Sequence, residues 1–313
     1  MIAYAARRAG LGAIQVAAVA ALAFALVELL PGDAAVALAG DRPDPAVIER
    51  IRERMSLDEP APARLADWIG GLATGDLGTS LVSGRPVSAI IADALQPTLI
   101  LAGVTLVLLL PMSIGLGVAA ARRRGRWPDR LITTTSVGLY AVPEFALAVL
   151  LVSVFAIGLD WLPPTAVGAG SLLDEPLVLV LPVLVLLARP ICSIARLVRA
   201  GMIEALDAEY TAHARRAGVP ERTVVWAHAL PNALAPAAAQ IARTADWLLG
   251  GVIVVESVFV VPGLGTALVD AVNARDLPVV QGIAVVFGVT TVLVNLAADL
   301  VAFRLAPRLE VAS

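Results

Sequence analysis

Apolar positions along this chain gather into long unbroken runs instead of alternating with polar ones. Runs of about 20 residues, enough to cross a hydrocarbon layer, occur at 10–30, 98–121, 131–158, 176–198, 236–262 and 283–303. The pattern predicts an all-α membrane protein with six transmembrane helices. Arg7 and Arg8 precede the first run and Ala37-Leu38-Ala39 resembles a cleavage site, so a signal peptide competes for that segment. Its apolar stretch is longer than the roughly 7–15 residues of a signal h-region, which favours a retained helix.

Arginine placement orients the spans. With the N-terminus cytoplasmic, inside segments carry Arg7, Arg8, Arg122, Arg123, Arg124, Arg126, Arg130, Arg189, Arg196, Arg199, Arg215, Arg216, Arg222, Arg304 and Arg308, whereas the short outer connections 159–175 and 263–282 carry only Arg275. The excess of inside charge predicts cytoplasmic N- and C-termini. Six further Arg lie in the loop 31–97, which is long enough to be largely exempt from the rule.

That long outer loop is itself patterned. Asp44-Pro45 is an N-cap and first-turn pair; Ile48, Ile51 and Met55 then share a helical face, and Leu65, Trp68, Ile69 and Leu72 form a second one. Two short amphipathic helices are expected there, with Ile48, Ile51, Met55 and Trp68 as candidate contacts for a soluble partner.

Composition narrows the chemistry. Hydrophobic residues make up 59% of the 313 and charged residues 16%, too apolar a balance for one water-soluble core. All 23 basic residues are Arg. Without Lys there is no Walker A loop, kinase-type nucleotide lysine or Schiff-base lysine, so an ATP-driven process needs another chain to bind nucleotide. Cys192 is the sole cysteine and His213 and His228 the only histidines, which argues against a disulfide or a metal site. No H-E-x-x-H or G-x-S-x-G occurs, and no enzymatic activity is expected.

Acidic residues within apolar spans are functional candidates because a carboxylate at the bilayer centre costs about 2.5 kcal/mol or more. Here they are Glu144, Asp246, Glu256 and Asp299, with Arg243 and Arg304 as ion-pair partners. These acids leave open an ion-coupled secondary transporter or, through Asp246 and Asp299, an intramembrane aspartyl protease.

The cytoplasmic connection 199–235 reads as two short helices. Asp207 is expected to cap the first, Tyr210, Ala214 and Ala217 share its face with Arg215 beside them, and Gly218 suits a left-handed stop. Pro220 opens the second, which leads through Val224, Val225 and His228 to Leu230-Pro231.

These residues resemble the cytoplasmic loop of binding-protein-dependent ABC importer permeases, whose signature is E-A-A, three residues, G, nine residues, I-x-L-P. The spacing from Gly218 to His228, Leu230 and Pro231 fits, while Ala212, His213 and Ala214 stand at the E-A-A positions and His228 at the isoleucine. Tyr210, Ala214, Arg215 and Gly218 followed by His228 and Leu230 are similar to the dipeptide/oligopeptide/nickel subfamily. So are Leu29-Leu30-Pro31-Gly32-Asp33, Leu57-Asp58-Glu59-Pro60, Gly75-Asp76-Leu77-Gly78-Thr79-Ser80, Pro97-Thr98-Leu99 and Pro143 with Phe145. The late runs Glu256-Ser257-Val258-Phe259, Pro262-Gly263-Leu264-Gly265 and Arg275-Asp276-Leu277-Pro278-Val279-Val280 match its first permease subunit as well.

The resemblance implies a type I importer permease in a bacterial inner membrane. It implies residues 1–97 as first helix and extracytoplasmic loop, 98–304 as permease core and 305–313 as cytoplasmic tail. The implied partners are a second homologous permease, two ATPase subunits holding ATP and Mg, and an extracytoplasmic substrate-binding protein; no cofactor is implied on this chain. Asp207, Tyr210, Ala214, Arg215, Ala217, Gly218, His228, Leu230 and Pro231 become the ATPase-coupling candidates, on a coupling helix at about 207–218. Di- and oligopeptides are the implied cargo, with nickel chelates, glutathione and haem as alternatives within the family.

Overall fold

Helix dominates the computed structural model, which describes residues 2–28, 35, 36, 39, 44–54, 57–168, 172–250 and 252–305. Met55, most of the cleavage-like and Leu29–Asp33 motifs, the tail beyond 305 and the side chains of Asp299 and Arg304 lie outside the described part. Two compact units interleave in sequence, one of residues 1–98 and 262–293, the other of 99–261 and 294–313.

In the first unit, α1 (Ile2–Glu28) packs against α3 (Ala61–Thr74), which follows α2 (Pro45–Arg54) in the loop 31–97. The Asp44 side chain accepts the Ala46 N–H at 2.9 Å, so α2 is capped where the Asp-Pro pair places its start. Trp68 of α3 stacks on Phe24 of α1 with ring centroids 6.3 Å apart, and the Arg64 guanidinium covers the same ring. Trp68 thus serves an internal joint as well as being a candidate outer contact.

The same unit closes around the start of α4 (Val87–Arg122) and around α13 and α14, introduced below. Its core is Val87, Ile91, Ala94, Leu264, Ala271, Val279 and Ile283. Asp276 ties the loop before α4 into place: one carboxylate oxygen accepts the buried Ser80 hydroxyl, and the other accepts the Leu81 N–H at 3.0 Å.

The second unit contains the remaining length of α4, then α5 (Trp127–Ala141) and α6 (Glu144–Leu151), which continues as a π-helical stretch to Gly158. The expected single span 131–158 is broken here: α5 and α6 meet at 102°. Pro143 has no N–H to extend α5, and it drives Val142 into extended backbone (ψ 126°), so the helix ends and restarts.

Helix α7 (Leu177–Asp207) runs through the middle of this unit and buries Leu181, Leu186, Ile194, Val198 and Met202. It extends nine residues beyond the apolar run, to about 46 Å against a hydrocarbon thickness of about 30 Å. Its Gly201 crosses the backbone of Ala233 so closely that an added Cβ would lie 2.6 Å from the Ala233 carbonyl oxygen. After α7 come α8 (Glu209–Arg216), α9 (Glu221–Thr223), a π-helical turn Val224–Ala229 and α10 (Leu230–Ala233). The order closes with α11 (Ala235–Gly250), α12 (Ile253–Phe259), α13 (Leu264–Asn273) and α14 (Leu277–Leu305).

Three described helices are long and apolar enough to cross a membrane: Val87–Arg122, Leu177–Asp207 and the Leu277–Ala297 part of α14. The bent pairs α5–α6 and α11–α12 raise this to five, and Gly10–Ala25 is a shorter apolar stretch of α1. The six apolar runs are therefore not six straight rods. Pro143 turns one of them through 102° in a way hydropathy does not register.

Candidate coupling site and pathway

Helix α8 is short because its two ends are fixed by different devices. Its start is anchored from within: the buried Thr211 hydroxyl lies 2.7–3.1 Å from the carbonyls of Ala205, Leu206 and Ala208, which it bonds in turn. At its end Gly218 adopts φ +81°, donating its N–H to the Arg215 carbonyl while Val219 donates to Ala214. This is a Schellman stop, and it needs the left-handed residue that the sequence supplies as glycine. Pro220, extended at ψ 138°, then starts α9.

Asp207 does not cap α8 as expected. It is the last residue of α7, its carboxylate 3.2 Å from the Arg124 guanidinium, and Ala208 holds the cap position without a side-chain bond. Arg215 is tied down as well, donating to the Leu206 carbonyl at 3.1 Å and, bidentately, to Glu221 at 3.0 and 3.1 Å. That pairing holds the Glu221 carboxyl below its usual range and raises Arg215, hydrogen bonding being the leading cause in both. Arg122, Arg124, Asp207, Arg215 and Glu221 together line a cavity of about 310 Å³.

With these side chains occupied, α8 presents the others outward. Tyr210, His213, Arg216 and Ala217 are exposed and Ala214 is half-buried. Val224, Val225 and Ala229 of the following π turn enter the core, while Trp226 and His228 stay exposed. Pro231 accounts for the π geometry: it lacks the N–H that an α-helix would direct at Ala227 and its ring crowds that carbonyl. Leu230 packs beside the core and Pro231 is exposed.

Among the acidic candidates, Glu144 lies 3.3 Å from Arg189. By sequence Arg189 falls among the inside-segment arginines, yet it stands twelve residues into the apolar helix α7, about 18 Å from its start. The expected Arg243–Asp246 pairing does not form: Arg243 donates to Gln240 at 2.7 Å, and Asp246 Oδ1 is buried with no hydrogen-bond partner. Glu256 is fully buried on α12.

Glu144, Arg189 and Arg243 converge with Tyr140, Gln240 and Trp247 on a cavity of about 220 Å³. Tyr140 accepts two guanidiniums on its ring, Arg189 at 5.0 Å and Arg196 at 5.3 Å. Sequence reasoning missed Thr211, Tyr140, Gln240 and Trp247. A tyrosine three residues before a proline that breaks an apolar run was the available signal for Tyr140.

Comparison with known proteins agrees with this architecture. Residues 113–311 match the binding-protein-dependent transport system inner membrane component family, and residues 1–102 match the N-terminal family of the same membrane component. The glutathione transport system permease proteins GsiC of Salmonella typhimurium and of Escherichia coli K12 are each 40% identical over 292 residues, covering 93% of this chain and 94% of the relative.

The chain is therefore an inner-membrane, multi-pass permease and not an enzyme. It belongs to the binding-protein-dependent transport system inner membrane component family, as an ABC importer permease of the dipeptide/oligopeptide/nickel branch.

Proposed function

We propose that this permease forms one half of the translocation pathway of an ATP-driven importer of short peptides, with α8 as the element that docks into an ATPase subunit. The observation that carries the reading is α8 itself: a short helix fixed by Thr211 and Arg215 to the end of α7, stopped by Gly218, with Tyr210, His213, Arg216 and Ala217 exposed. A helix so tied moves as a rigid body with α7. Closure of the ATPases on nucleotide then reaches the membrane helices without flexible slack. In this reading nucleotide and Mg belong to the ATPases and this chain carries no cofactor.

The second permease, the extracytoplasmic binding protein and cytoplasmic N- and C-termini belong to the same proposal. Ile48 and Ile51 on α2, and Trp68 on α3, are its binding-protein contacts. Among cargoes, glutathione joins the peptide class as the specific candidate, because the 40% identical relatives are named for its transport. The test is co-purification and uptake. Ala214→Glu should release the ATPases and abolish ATP-dependent uptake with expression intact, and deletion of 45–54 should weaken binding-protein docking while ATPase assembly persists. Normal uptake by Ala214→Glu refutes the coupling assignment.

A further inference from the structure

The cavity at the α5–α6 bend holds more cationic than anionic charge. Arg189 has the Glu144 carboxylate, but among the described residues Arg243 meets no carboxylate and is bonded to the neutral Gln240. An arginine in an apolar helix is costly, and here two are drawn to one hollow with Arg196 stacked beside them. Both guanidiniums stay accessible: the Arg189 side chain is 43% exposed and Arg243 is exposed. Tyr140 and Trp247 supply flat walls, and a space of about 220 Å³ is below the ~300 Å³ of a whole-ligand pocket.

We infer that this cavity is a way-station in the pathway that receives the carboxylate end of a passing peptide, with Arg243 as the fork that binds it and Arg189 held in reserve by Glu144. The inference rests on the importer reading above and deepens it by giving the cargo a required chemical group. Glu144 acts as the internal competitor: it occupies Arg189 when the station is empty, so the site has one open oxyanion position instead of two and releases its cargo readily. Stacking of Tyr140 between Arg189 and Arg196 fixes the orientation of the cationic wall. A lipid headgroup phosphate shares the oxyanion chemistry, and the experiment separates the two sources.

The assembled importer, with its second permease and ATPases, is placed in zwitterionic nanodiscs and titrated with glutathione while tryptophan fluorescence is followed. Trp247→Phe identifies the signal of the cavity. Expected are a saturable change absent from Trp247→Phe, a weakening of about ten-fold or more in Arg243→Gln, as for loss of a charge-assisted hydrogen bond, and partial recovery in Arg243→Lys. Glutathione esterified at both carboxylates should give no change.

A wild-type complex without a saturable change, or one that responds equally in Arg243→Gln or to the ester, overturns the inference. So does loss of the glutathione response when anionic lipid is added, together with lipid retention that falls in Arg243→Gln, which assigns the site to a headgroup. ATPase co-purification and uptake of the same probe are scored separately. An importer that assembles and transports glutathione with a silent cavity refutes the way-station alone, whereas failure to assemble refutes the importer reading.

Discussion

Two glycines near the α8 end of α7 are required for opposite reasons, and substitution separates them. At Gly201 the backbone is ordinary helix but space is missing: a Cβ would sit 2.6 Å from the Ala233 carbonyl oxygen and 3.0 Å from its Cα. Ordinary contact begins near 3.4 Å, so α7 and α10 must part by about 0.8 Å, and backbone atoms cannot rotate aside. Overpacking of this kind costs about 1–3 kcal/mol. At Gly218 space is open, with nothing within 4 Å, but φ is +81°, and an L side chain there costs about 1–2 kcal/mol. Alanine at either position is therefore similarly unfavourable. Asparagine, which tolerates the left-handed region, should recover most of the loss at 218 and none at 201. Thermal unfolding in detergent and ATPase co-purification read the two effects. Gly201→Ala and Gly201→Asn lower the unfolding temperature, whereas Gly218→Ala lowers both it and ATPase retention and Gly218→Asn restores both. Equal failure of Gly218→Asn and Gly218→Ala would refute the backbone argument, and full stability of Gly201→Ala would refute the steric one.

Other expectations rest on single contacts. Asp129 is 3% exposed and receives Arg199 at 2.6 and 2.8 Å with the Gly125 N–H at 2.9 Å; Arg199→Ala leaves that carboxylate unpaired and should cost about 3 kcal/mol, read as a fall in detergent unfolding temperature that Asp129→Asn in the same chain partly reverses. Thr211→Val removes the hydroxyl that anchors the start of α8 to the end of α7 and should lower ATPase retention, by about 1 kcal/mol of helix docking, without changing global unfolding. The Arg215–Glu221 pair stabilises the α8–α9 turn while Glu221 is ionised; because its folded pKa is depressed, the contribution is present above the ordinary carboxylate range and lost as pH falls through the lowered value. Both partners are substantially exposed, so the loss is small; protection at 215–221, taken relative to the intrinsic exchange rate at each pH, should fall slightly as pH drops from neutral into the acid range, and protection that rises on acidification would contradict the sign. Ser80→Ala should loosen the 75–86 loop, measured by protease cutting there, with assembly of the second unit unaffected.

Legibility of the sequence followed the range of the interaction. Local signals were readable: the Asp44-Pro45 start of α2, the Gly218 stop and the Pro220 restart are written in residues adjacent to the geometry they cause. Apolar runs located the helices but not their bends, since hydropathy sums over a window and is blind to the lost N–H at Pro143 that turns one run through 102°. Partner choice was least readable. Asp207 looks like a cap by type, yet α7 continues to it and Arg124, 83 positions earlier, takes its carboxylate. Arg189 looks like an inside-loop charge, yet the helix enclosing it began twelve residues before. Thr211 carries no periodic or charge signal, and its role depends on where the end of α7 lies.

These non-local ties explain how a bundle meeting lipid on its outer face holds one arrangement. Between apolar helices the surrounding lipid is as favourable a neighbour as another helix, so burial alone specifies no register. Register must come from contacts that tolerate no sliding. Along α7 these come in a short series: Arg189 with Glu144 of α6, Arg199 gripping Asp129 of α5, Gly201 seated on Ala233 of α10, and the Leu206 carbonyl held by Thr211 and Arg215 of α8. From Arg199 onward they crowd the last turns of the helix, beside α8. A displacement of α8 is therefore delivered first to α5 and α10 through polar and steric joints that cannot slip, and only then to the Glu144–Arg189 joint at the bend. That joint has the most exposed arginine of the series and a cavity at its side, so a rigid motion arriving there meets the least packing.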